Sequence, residues 1–216
     1  EVFVHGALCV SYSGNCLFSA FNGGRSGNRG ECAQPCRLKY ELYKEDELVE
    51  DESYLLSTKD LMTIKELKTV IESGVLSLKI EGRMRKPEYV IATVRAYREA
   101  IDHILDNTDF DIQLRITELL KVFNREYTKG YLLNENPFDI NNAFRPNHQG
   151  VHVGTVVNFN NGKTSIKLAD TLHKGDGFRI LGDADVGGRV DRILKDGQKV
   201  EYAYKGDTIE IDLIKK

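Results

Sequence analysis

The 216 residues carry 30 basic and 33 acidic side chains, and the resulting net charge of -3 gives no overall attraction to nucleic acid or to an anionic membrane. An apolar fraction of 41% is ordinary for a soluble globular chain, and no apolar run approaches the roughly 20 residues that span a bilayer. We therefore expect a cytoplasmic protein that makes no membrane contact.

The chain begins with a β-rich run, residues 1–5, which breaks at Gly6. Because the first residue already belongs to this run, we expect the chain to be the later part of a longer protein. A polar, glycine-rich stretch follows, and it is predicted to form a long loop. Long loops in compact domains are usually functional or disordered.

All four cysteines of the chain lie at the edges of, or within, this loop: Cys9, Cys16, Cys32 and Cys36. Their clustering predicts one shared site. Structural zinc usually takes cysteines two to four residues apart, and only Cys32 and Cys36 meet that spacing. An iron–sulfur cluster accepts less regular spacings, and disulfides are rare in cytosolic proteins. Spacing alone leaves cluster and zinc both open, with the cluster slightly favoured.

Residues 37–45 and 48–56 alternate polar and apolar side chains, which predicts a hairpin. The region from residue 57 is expected to be helical. Thr63 is the predicted N-cap of a helix over residues 64–73, because Glu66 follows it three residues later as in a capping box.

A short buried strand over residues 75–80 and helices over residues 87–106 and about 111–123 complete this region. Pro87 is expected in the first turn of its helix. Alternating helices and strands indicate α/β architecture with parallel strands. The apolar stripe of the long helix is predicted to consist of Val90, Ile91, Val94, Tyr97, Ile101 and Ile104.

After residue 150 the pattern changes to six short β-type runs separated by turn sequences such as Asn161-Gly162 and Asp196-Gly197. This spacing predicts a small antiparallel barrel or sandwich. We therefore expect two domains, residues 1–136 and residues 150–216.

Candidate catalytic residues follow the two predicted strand ends, where functional groups gather in α/β folds. Glu81 and Arg83 follow one strand, and the Arg83 guanidinium suits the carboxylate of an anionic co-substrate. A structural salt bridge is the alternative for this pair. His5 ends the other strand, where it either contacts substrate or is satisfied inside the fold.

Several basic residues surround the glycine-rich loop or follow the second strand end. They are candidates for contacts with RNA phosphates, which position a nucleic acid without reading its sequence. Solvated loop charge is the alternative interpretation. The candidates are Arg25, Arg29, Arg37, Lys39, Arg85 and Lys86, with Arg83 between the two groups.

Several sequence blocks resemble the U32 family of collagenase-like peptidases. They cover about the first 131 residues: EVFVHGALC with YSGNC, NRGECAQPCR, KIEGRM with PEY, and FNR through TKGY. The segment after residue 150 is similar to the small β-barrel appended to longer members of that family.

The resemblance implies the C-terminal part of a TIM-like barrel, followed by a small antiparallel β-barrel. It also implies that Cys9, Cys16, Cys32 and Cys36 ligate a four-iron four-sulfur cluster. Family members with this cluster hydroxylate RNA bases or ubiquinone precursors without molecular oxygen. The most similar RNA-modifying members install 5-hydroxyuridine at the tRNA wobble position and use prephenate, so tRNA and prephenate are the expected partners.

Two other functions stay open beside this one. The first is the proteolysis for which the family is named, although no H-E-x-x-H or G-x-S-x-G motif is present. The second is a non-catalytic scaffold with structural zinc. The resemblance also leaves room for a partner chain or a homodimer. With the upstream strands of the barrel outside it, this chain alone is expected to be inactive.

Overall fold

The computed structural model describes residues 1–12, 14–82, 85–160, 162–182 and 186–212. The chain divides into two compact units, Glu1–Gln149 and Gly150–Lys216.

The described residues of the first unit form six strands and four α-helices. The strands are β1 (Val2–Ala7), β2 (Tyr40–Lys44), β3 (Glu47–Ser53), β4 (Asp60–Met62), β5 (Leu78–Ile80) and β6 (Tyr127–Thr128). The helices are α1 (Phe18–Gly23), α2 (Leu67–Glu72), α3 (Pro87–Asp106) and α4 (Ile112–Val122). Strands β2 and β3 form the predicted hairpin, with bounds a few residues shorter than the sequence pattern indicates.

A four-stranded mixed sheet, in the order β5-β1-β4-β6, organises this unit. Strand β1 is parallel to β5 and antiparallel to β4, and β4 is parallel to β6. Ala7 lies opposite Asp60, and Asp60 lies opposite Tyr127. The end of β1, the start of β4 and the start of β6 therefore meet at one edge of the sheet. Segments that are distant in the sequence are brought together there.

Helix α3 has the predicted bounds, with Pro87 in its first turn and Asn107 in the left-handed conformation after its last. Its predicted apolar stripe is wrong in the first half of the helix. Ile91 is 64% exposed and Val94 50%, whereas the small side chains on the opposite face are buried. Small residues allow a helix axis to approach the sheet closely, so the packed face follows size as well as hydropathy. The buried residues of α3 are Tyr89, Ala92, Thr93, Ala96, Tyr97 and Ala100.

The region after residue 57 differs from the sequence prediction in two ways. Residues 60–62 form strand β4 instead of the start of a helix. Thr63 precedes a short 3-10 helix, Ile64–Glu66, but its side chain makes no capping bond. The Thr63 hydroxyl instead donates to the carbonyl of Val4, 3.2 Å away on the neighbouring strand. A buried bond to the sheet thus replaces the predicted cap.

In the second unit the part of the chain that the structure describes forms nine short strands. They are β7 (Gly154–Asn160), β8 (Lys163–Leu168), β9 (Leu172–His173), β10 (Gly177–Ile180), β11 (Val186–Arg189), β12 (Ile193–Lys195), β13 (Gln198–Val200), β14 (Tyr202–Ala203) and β15 (Thr208–Asp212). Five of them form an antiparallel sheet in the order β13-β12-β15-β8-β7. The other four form two antiparallel pairs, β10-β11 and β9-β14.

Each unit has its own apolar core. Val4, Leu67 and Leu119 are fully buried in the first, and Ile193 in the second. Burying one such side chain contributes about 1.5–3 kcal/mol. Within the described ranges no sheet closes on itself, so the two barrels remain predictions. No helix among those same residues combines the length and apolar character needed to cross a membrane.

Candidate functional site

The four cysteines lie in one neighbourhood of the first unit, on the loop that follows β1. All four are free thiols, with Cys9 and Cys32 exposed and Cys16 and Cys36 half-buried. Burial raises the pKa of the Cys36 thiol, Arg37 opposes that shift, and charges on Cys9, Cys32 and Cys16 add to it. Because electrostatic effects decline with distance, all three sulfurs lie within interaction range of Cys36.

Protein contacts order the cysteine loop, defined as residues 9–36, of which all but Ser13 are described. The Ser19 hydroxyl accepts a hydrogen bond from the Ala33 amide at 2.8 Å, next to Cys32. The Asn28 side chain donates to the Gly14 carbonyl at 3.0 Å. These bonds cross the glycine-rich segment, so the loop has a defined conformation within the chain itself.

Arg37 ties the last cysteine to the first. Its Nη2 donates to the Leu8 carbonyl at 3.0 Å and to the Thr58 hydroxyl at 2.9 Å. Its Nη1 donates to the Ser57 hydroxyl at 2.8 Å and to the Thr58 carbonyl. Since Leu8 precedes Cys9 and Arg37 follows Cys36, one guanidinium fixes the spacing of the two ends of the loop. The sequence predicted Arg37 as an RNA contact, yet these four bonds direct its guanidinium inward.

A cavity of about 640 Å³ opens beside the cysteine loop within the same unit. Gln34 and Arg37, on either side of Cys36 in the sequence, belong to its wall. The charged lining consists of four basic side chains and one acidic side chain. The described lining residues are Gln34, Arg37, Leu38, Lys39, Glu52, Tyr54, Arg85, Phe123, Arg125, Pro146, Asn147 and His148.

Asp60, at the start of β4, supports two of the arginines in this wall. Its carboxylate is fully buried, and one oxygen accepts a hydrogen bond from Arg85 Nη2 at 2.8 Å. The other oxygen accepts from Arg125 Nη2. Arg125 is only 5% exposed, and its Nη1 also donates to the Pro146 carbonyl at 3.2 Å.

The arginines of the cavity are close enough to repel one another. The pKa of Arg37 falls to about 10, chiefly through burial and next through the positive charge of Arg125, while Asp60 acts in the opposite direction. The Arg85 and Arg125 guanidiniums share the buried Asp60 carboxylate, and Arg37 lies close enough to feel its charge. This arrangement leaves a surplus of positive charge at the cavity.

Phe123 provides an aromatic surface in the same wall. The Arg85 guanidinium carbon lies 3.3 Å from the centroid of the Phe123 ring, within cation–π range. The ring of His148 is stacked on Phe123 at 5.5 Å between centroids, with 20° between the planes. Phe123 therefore lines the cavity together with the two side chains that pack on its ring.

His5, predicted as a candidate catalytic residue, is fully buried. Its ring lies 5.4–5.7 Å from the rings of Tyr89, Tyr97 and Tyr127. Burial, with a smaller contribution from the Arg85 charge, lowers the pKa of His5 to about 3, so the ring is neutral at physiological pH. Its Nε2 has no hydrogen-bond partner among the described residues.

The remaining predicted residues occupy different surroundings. The amide of Glu81 donates to the His5 carbonyl at 2.8 Å, which places Glu81 next to β1. Arg83 lies outside the described residues. Arg25 is exposed and donates from Nε to the Glu31 carbonyl at 2.9 Å. Arg29 and Lys86 are exposed on the first unit, whereas Arg85 is bound to Asp60.

Sequence reasoning missed Asp60, Arg125 and His148 as parts of one site. Strand β4 has three residues, too few for an alternating pattern, so nothing in the sequence placed Asp60 at a sheet edge. The two later residues belong to loops around β6 and approach the cysteine loop only through the fold.

Comparison with known proteins identifies the family. The model of peptidase family U32 matches residues 1–142. The chain belongs to peptidase family U32. The resemblance found in the sequence blocks is thereby confirmed.

Curated U32 relatives carry two kinds of name. A 23S rRNA 5-hydroxycytidine synthase of Escherichia coli is 35% identical over 100% of this chain and 34% of its own length. A collagenase of Porphyromonas gingivalis is 36% identical over 100% of this chain and 55% of its own. A tRNA hydroxylation protein of Bacillus subtilis is 34% identical over 84% of this chain and 46% of its own. This chain spans 34–56% of the first three curated relatives it matches.

Proposed function

We propose that the protein to which this chain belongs hydroxylates a uridine of tRNA, with an iron–sulfur cluster bound at the four cysteines and prephenate as co-substrate. The observation that carries the proposal is the presence of four free thiols on one loop of a U32 protein, with Cys36 under the electrostatic influence of the other three. Relatives named for RNA hydroxylation match 61–100% of the chain, which supports the same reaction class.

The choice of a cluster over zinc rests on the spacing of the cysteines and on the family resemblance. Structural zinc usually takes cysteines two to four residues apart, and only Cys32 and Cys36 meet that spacing. An iron–sulfur cluster accepts less regular spacings.

Cys9, Cys16, Cys32 and Cys36 would hold the cluster, which supplies electron transfer when bound. The residues around it have separate tasks. Arg37 fixes the segments that carry Cys9 and Cys36 through its bonds to Leu8 and Thr58.

tRNA would be held by basic side chains that face solvent. Arg25 and Arg29 lie on the cysteine loop, and Lys86 precedes α3. Contacts of this kind attract the phosphate backbone and weaken with salt, without reading the sequence. They suit a site in which the cysteine loop approaches one nucleotide of a larger RNA.

Proteolysis is the second candidate, because a collagenase relative covers the whole chain. A cysteine peptidase needs a thiolate activated by a neighbouring histidine. The main influences on the Cys36 thiol are burial, Arg37 and the other three cysteines. His5, the histidine nearest to Cys9 in the sequence, is enclosed by tyrosine rings. This arrangement favours a thiol site for a shared ligand.

The decisive experiment compares tRNA nucleosides by mass spectrometry in a strain with and without the gene. We expect 5-hydroxyuridine to disappear on deletion and to return with the wild-type gene but not with Cys36→Ala. Ser26→Ala, in the same loop, is the matched control and should restore the modification. An unchanged 5-hydroxyuridine content in the deletion strain would refute the proposal.

A second measurement separates the occupants of the thiol site. Anaerobically purified protein should be brown with broad visible absorption, and that absorption should be lost with each of the four Cys→Ala changes. A colourless protein with one zinc per chain would contradict cluster binding. Gelatin hydrolysis that persists after metal removal would favour the peptidase.

A further inference from the structure

The second unit presents a row of three aromatic rings to solvent. His173 of β9 lies opposite Tyr202 of β14, and their ring centroids are 5.9 Å apart. The ring centroid of Tyr204 lies 5.2 Å from that of Tyr202, with 68° between the planes. Tyr202 is 48% exposed and Tyr204 58%, and the His173 side chain is 59% exposed. Together these three rings form the ring row.

Strand alternation places the ring row at the surface. Ala203 and Leu172 lie opposite each other and are almost fully buried, so the side chains next to them in the strands point outward. A hydrogen bond between the phenol groups of Tyr202 and Tyr204 raises the pKa of Tyr204 and links the two rings. The amide of Tyr204 also donates to the Asp207 carboxylate at 3.0 Å. The fold therefore holds the rings in position while about half of each tyrosine stays exposed.

Lysine side chains surround the turn that follows Tyr204. Lys205 belongs to this turn and is exposed. Lys167 Nζ donates to a backbone carbonyl of the same turn. Lys195 Nζ lies 2.9 Å from the Asp207 carboxylate. Three ammonium groups therefore lie around one end of the ring row.

Cations also lie beside the turn that follows His173. The exposed Arg189 donates from Nε to the Gly175 carbonyl of this turn at 3.1 Å. Lys174, the next residue after His173, pairs with Glu201 at 3.0 Å, and the two side chains are 48% and 75% exposed. Exposed pairs contribute little to stability, so Lys174 can exchange this carboxylate for another anion at small cost.

Two of these cations are not neutralised by the protein. Among the described residues, the ion pairs of this region use Lys174 and Lys195 and include neither Arg189 nor Lys205. Arg189 lies beside the His173 turn and Lys205 beside Tyr204, so the ring row has an unpaired cation near each end. A ligand that matches this surface has flat faces for the rings and negative charges on both sides of them.

Single-stranded nucleic acid has both features. Each base offers a face for stacking on an aromatic side chain, and a phosphate follows every nucleotide. In a duplex the base faces are covered by neighbouring base pairs, so the rings would have nothing to stack on. Sugars and proline-rich peptides also pack on aromatic rings, but neutral ones would make no use of the flanking cations.

We propose that the ring row binds a single-stranded nucleic acid, with bases stacked on Tyr202 and Tyr204 and phosphates near Arg189 and Lys205. That the strand is RNA, and that it belongs to the substrate of hydroxylation, rests on the proposed function, whereas the stacking does not. The proposal gives the second unit a nucleic-acid contact of its own, separate from the basic residues of the cysteine loop.

The first test compares two probes of equal charge on the whole chain. Fluorescence anisotropy would measure the affinity of a labelled adenosine hexaribonucleotide and of an abasic ribose-phosphate hexamer. We expect the hexaribonucleotide to bind about fivefold or more tightly, because only its bases can stack. The double variant Tyr202→Ala/Tyr204→Ala should lose this preference. Equal affinities for the wild type, or an unchanged preference in the double variant, would overturn the proposal.

A matched control is another exposed ring of the same unit. Tyr204→Ala should weaken hexaribonucleotide binding about fivefold or more. Phe159→Ala should leave it unchanged, because Phe159 is 58% exposed but lies near the turn between β7 and β8, away from Lys167. Circular dichroism must show that Tyr204→Ala is folded; otherwise Tyr204→Leu, which keeps apolar bulk without the ring, takes its place. Equal effects of the ring-row variant and the control would reject the site.

Salt dependence separates the roles of cations and rings. For a single strand, each phosphate contact contributes about 0.7 to the slope of log affinity against log salt concentration. Arg189→Gln should therefore lower this slope by about 0.7, and Tyr204→Ala should leave it unchanged. A slope that falls with Tyr204→Ala and not with Arg189→Gln would contradict the assigned roles.

A neutral proline-rich peptide tests the other occupant of an aromatic surface. We expect it to bind more weakly than the hexaribonucleotide. If the peptide binds and the hexaribonucleotide does not, the ring row recognises peptides and the nucleic-acid proposal is wrong.

These outcomes are separable from that of the hydroxylase proposal, because oligonucleotide binding needs neither a cluster nor a reaction. Stacking on the ring row without loss of 5-hydroxyuridine in the deletion strain would sustain the binding surface and remove its assigned substrate. Loss of 5-hydroxyuridine, together with tyrosine variants that bind the hexaribonucleotide normally, would sustain the hydroxylase and reject the ring row.

Discussion

Replacing Asp60 with asparagine tests the charge arrangement on which the cavity depends. The change keeps the size of the side chain but removes the buried carboxylate to which both Arg85 and Arg125 bind. Each hydrogen bond to a charged group contributes about 1.5–3 kcal/mol, which gives about 3–6 kcal/mol for the two bonds. Removing one partner of a buried ion pair generally destabilises a protein by about 3–5 kcal/mol, which agrees with this sum.

We therefore expect Asp60→Asn to lower the free energy of unfolding of the first unit by about 3–5 kcal/mol. For a chain of this size the melting temperature should fall by roughly 6–20 °C. Urea unfolding followed by circular dichroism and tyrosine fluorescence would measure the loss. Hydrogen exchange of α3 amides would assign it to the first unit.

Asp102→Asn is the matched control for this substitution. Asp102 pairs with Arg98 on the surface of α3, where the two side chains are 43% and 56% exposed. Exposed pairs of this kind contribute about 0.3–0.5 kcal/mol. A loss of unfolding free energy below about 1 kcal/mol for Asp60→Asn, or equal losses for the two variants, would refute the view that the Asp60 carboxylate holds Arg85 and Arg125 in place.

Two further substitutions examine the sheet edge. Burial holds the pKa of His5 at about 3, whereas a histidine in the unfolded chain titrates near pH 6.5, so the free energy of unfolding should fall as the pH decreases from 8 to 5. His5→Phe should remove about 2 kcal/mol of that fall. Parallel profiles of unfolding free energy against pH for the wild type and the variant would contradict this. A Cβ at Gly6 would lie 2.5 Å from the Glu81 carbonyl oxygen, so Gly6→Ala should destabilise the fold by about 1–3 kcal/mol in thermal unfolding. Gly23→Ala is the control and should cost much less, because a Cβ at Gly23 would meet nothing within 4 Å. Similar melting temperatures of the two variants would exclude the close contact at Gly6.

Local patterns predicted the parts of the fold that local physics determines. The bounds of α3 were correct because Pro87 and Asn107 mark its two ends. The prediction of its packed face was wrong, because the burial of Ala96 depends on how closely α3 approaches the sheet. Hydropathy along one helix does not contain that information.

The residues of the candidate site likewise include some that local sequence patterns reveal and some that they do not. The four cysteines were recognisable because thiols are rare and their clustering is local. Asp60 and Arg125 were not, since their meeting depends on the antiparallel pairing of β1 with β4 and the parallel pairing of β4 with β6. Both pairings join segments that are distant in sequence.

The bonds that order the cysteine loop have a consequence for the proposed iron–sulfur site. Zinc fingers unfold when a chelator removes their ion, because the metal supplies most of their folding energy. Here Ser19, Asn28 and Arg37 hold the loop through contacts with the polypeptide alone. Under the proposed function, protein stripped by a chelator should therefore keep its circular dichroism spectrum, and the proposed cluster should form again when iron and sulfide are resupplied, without a refolding step.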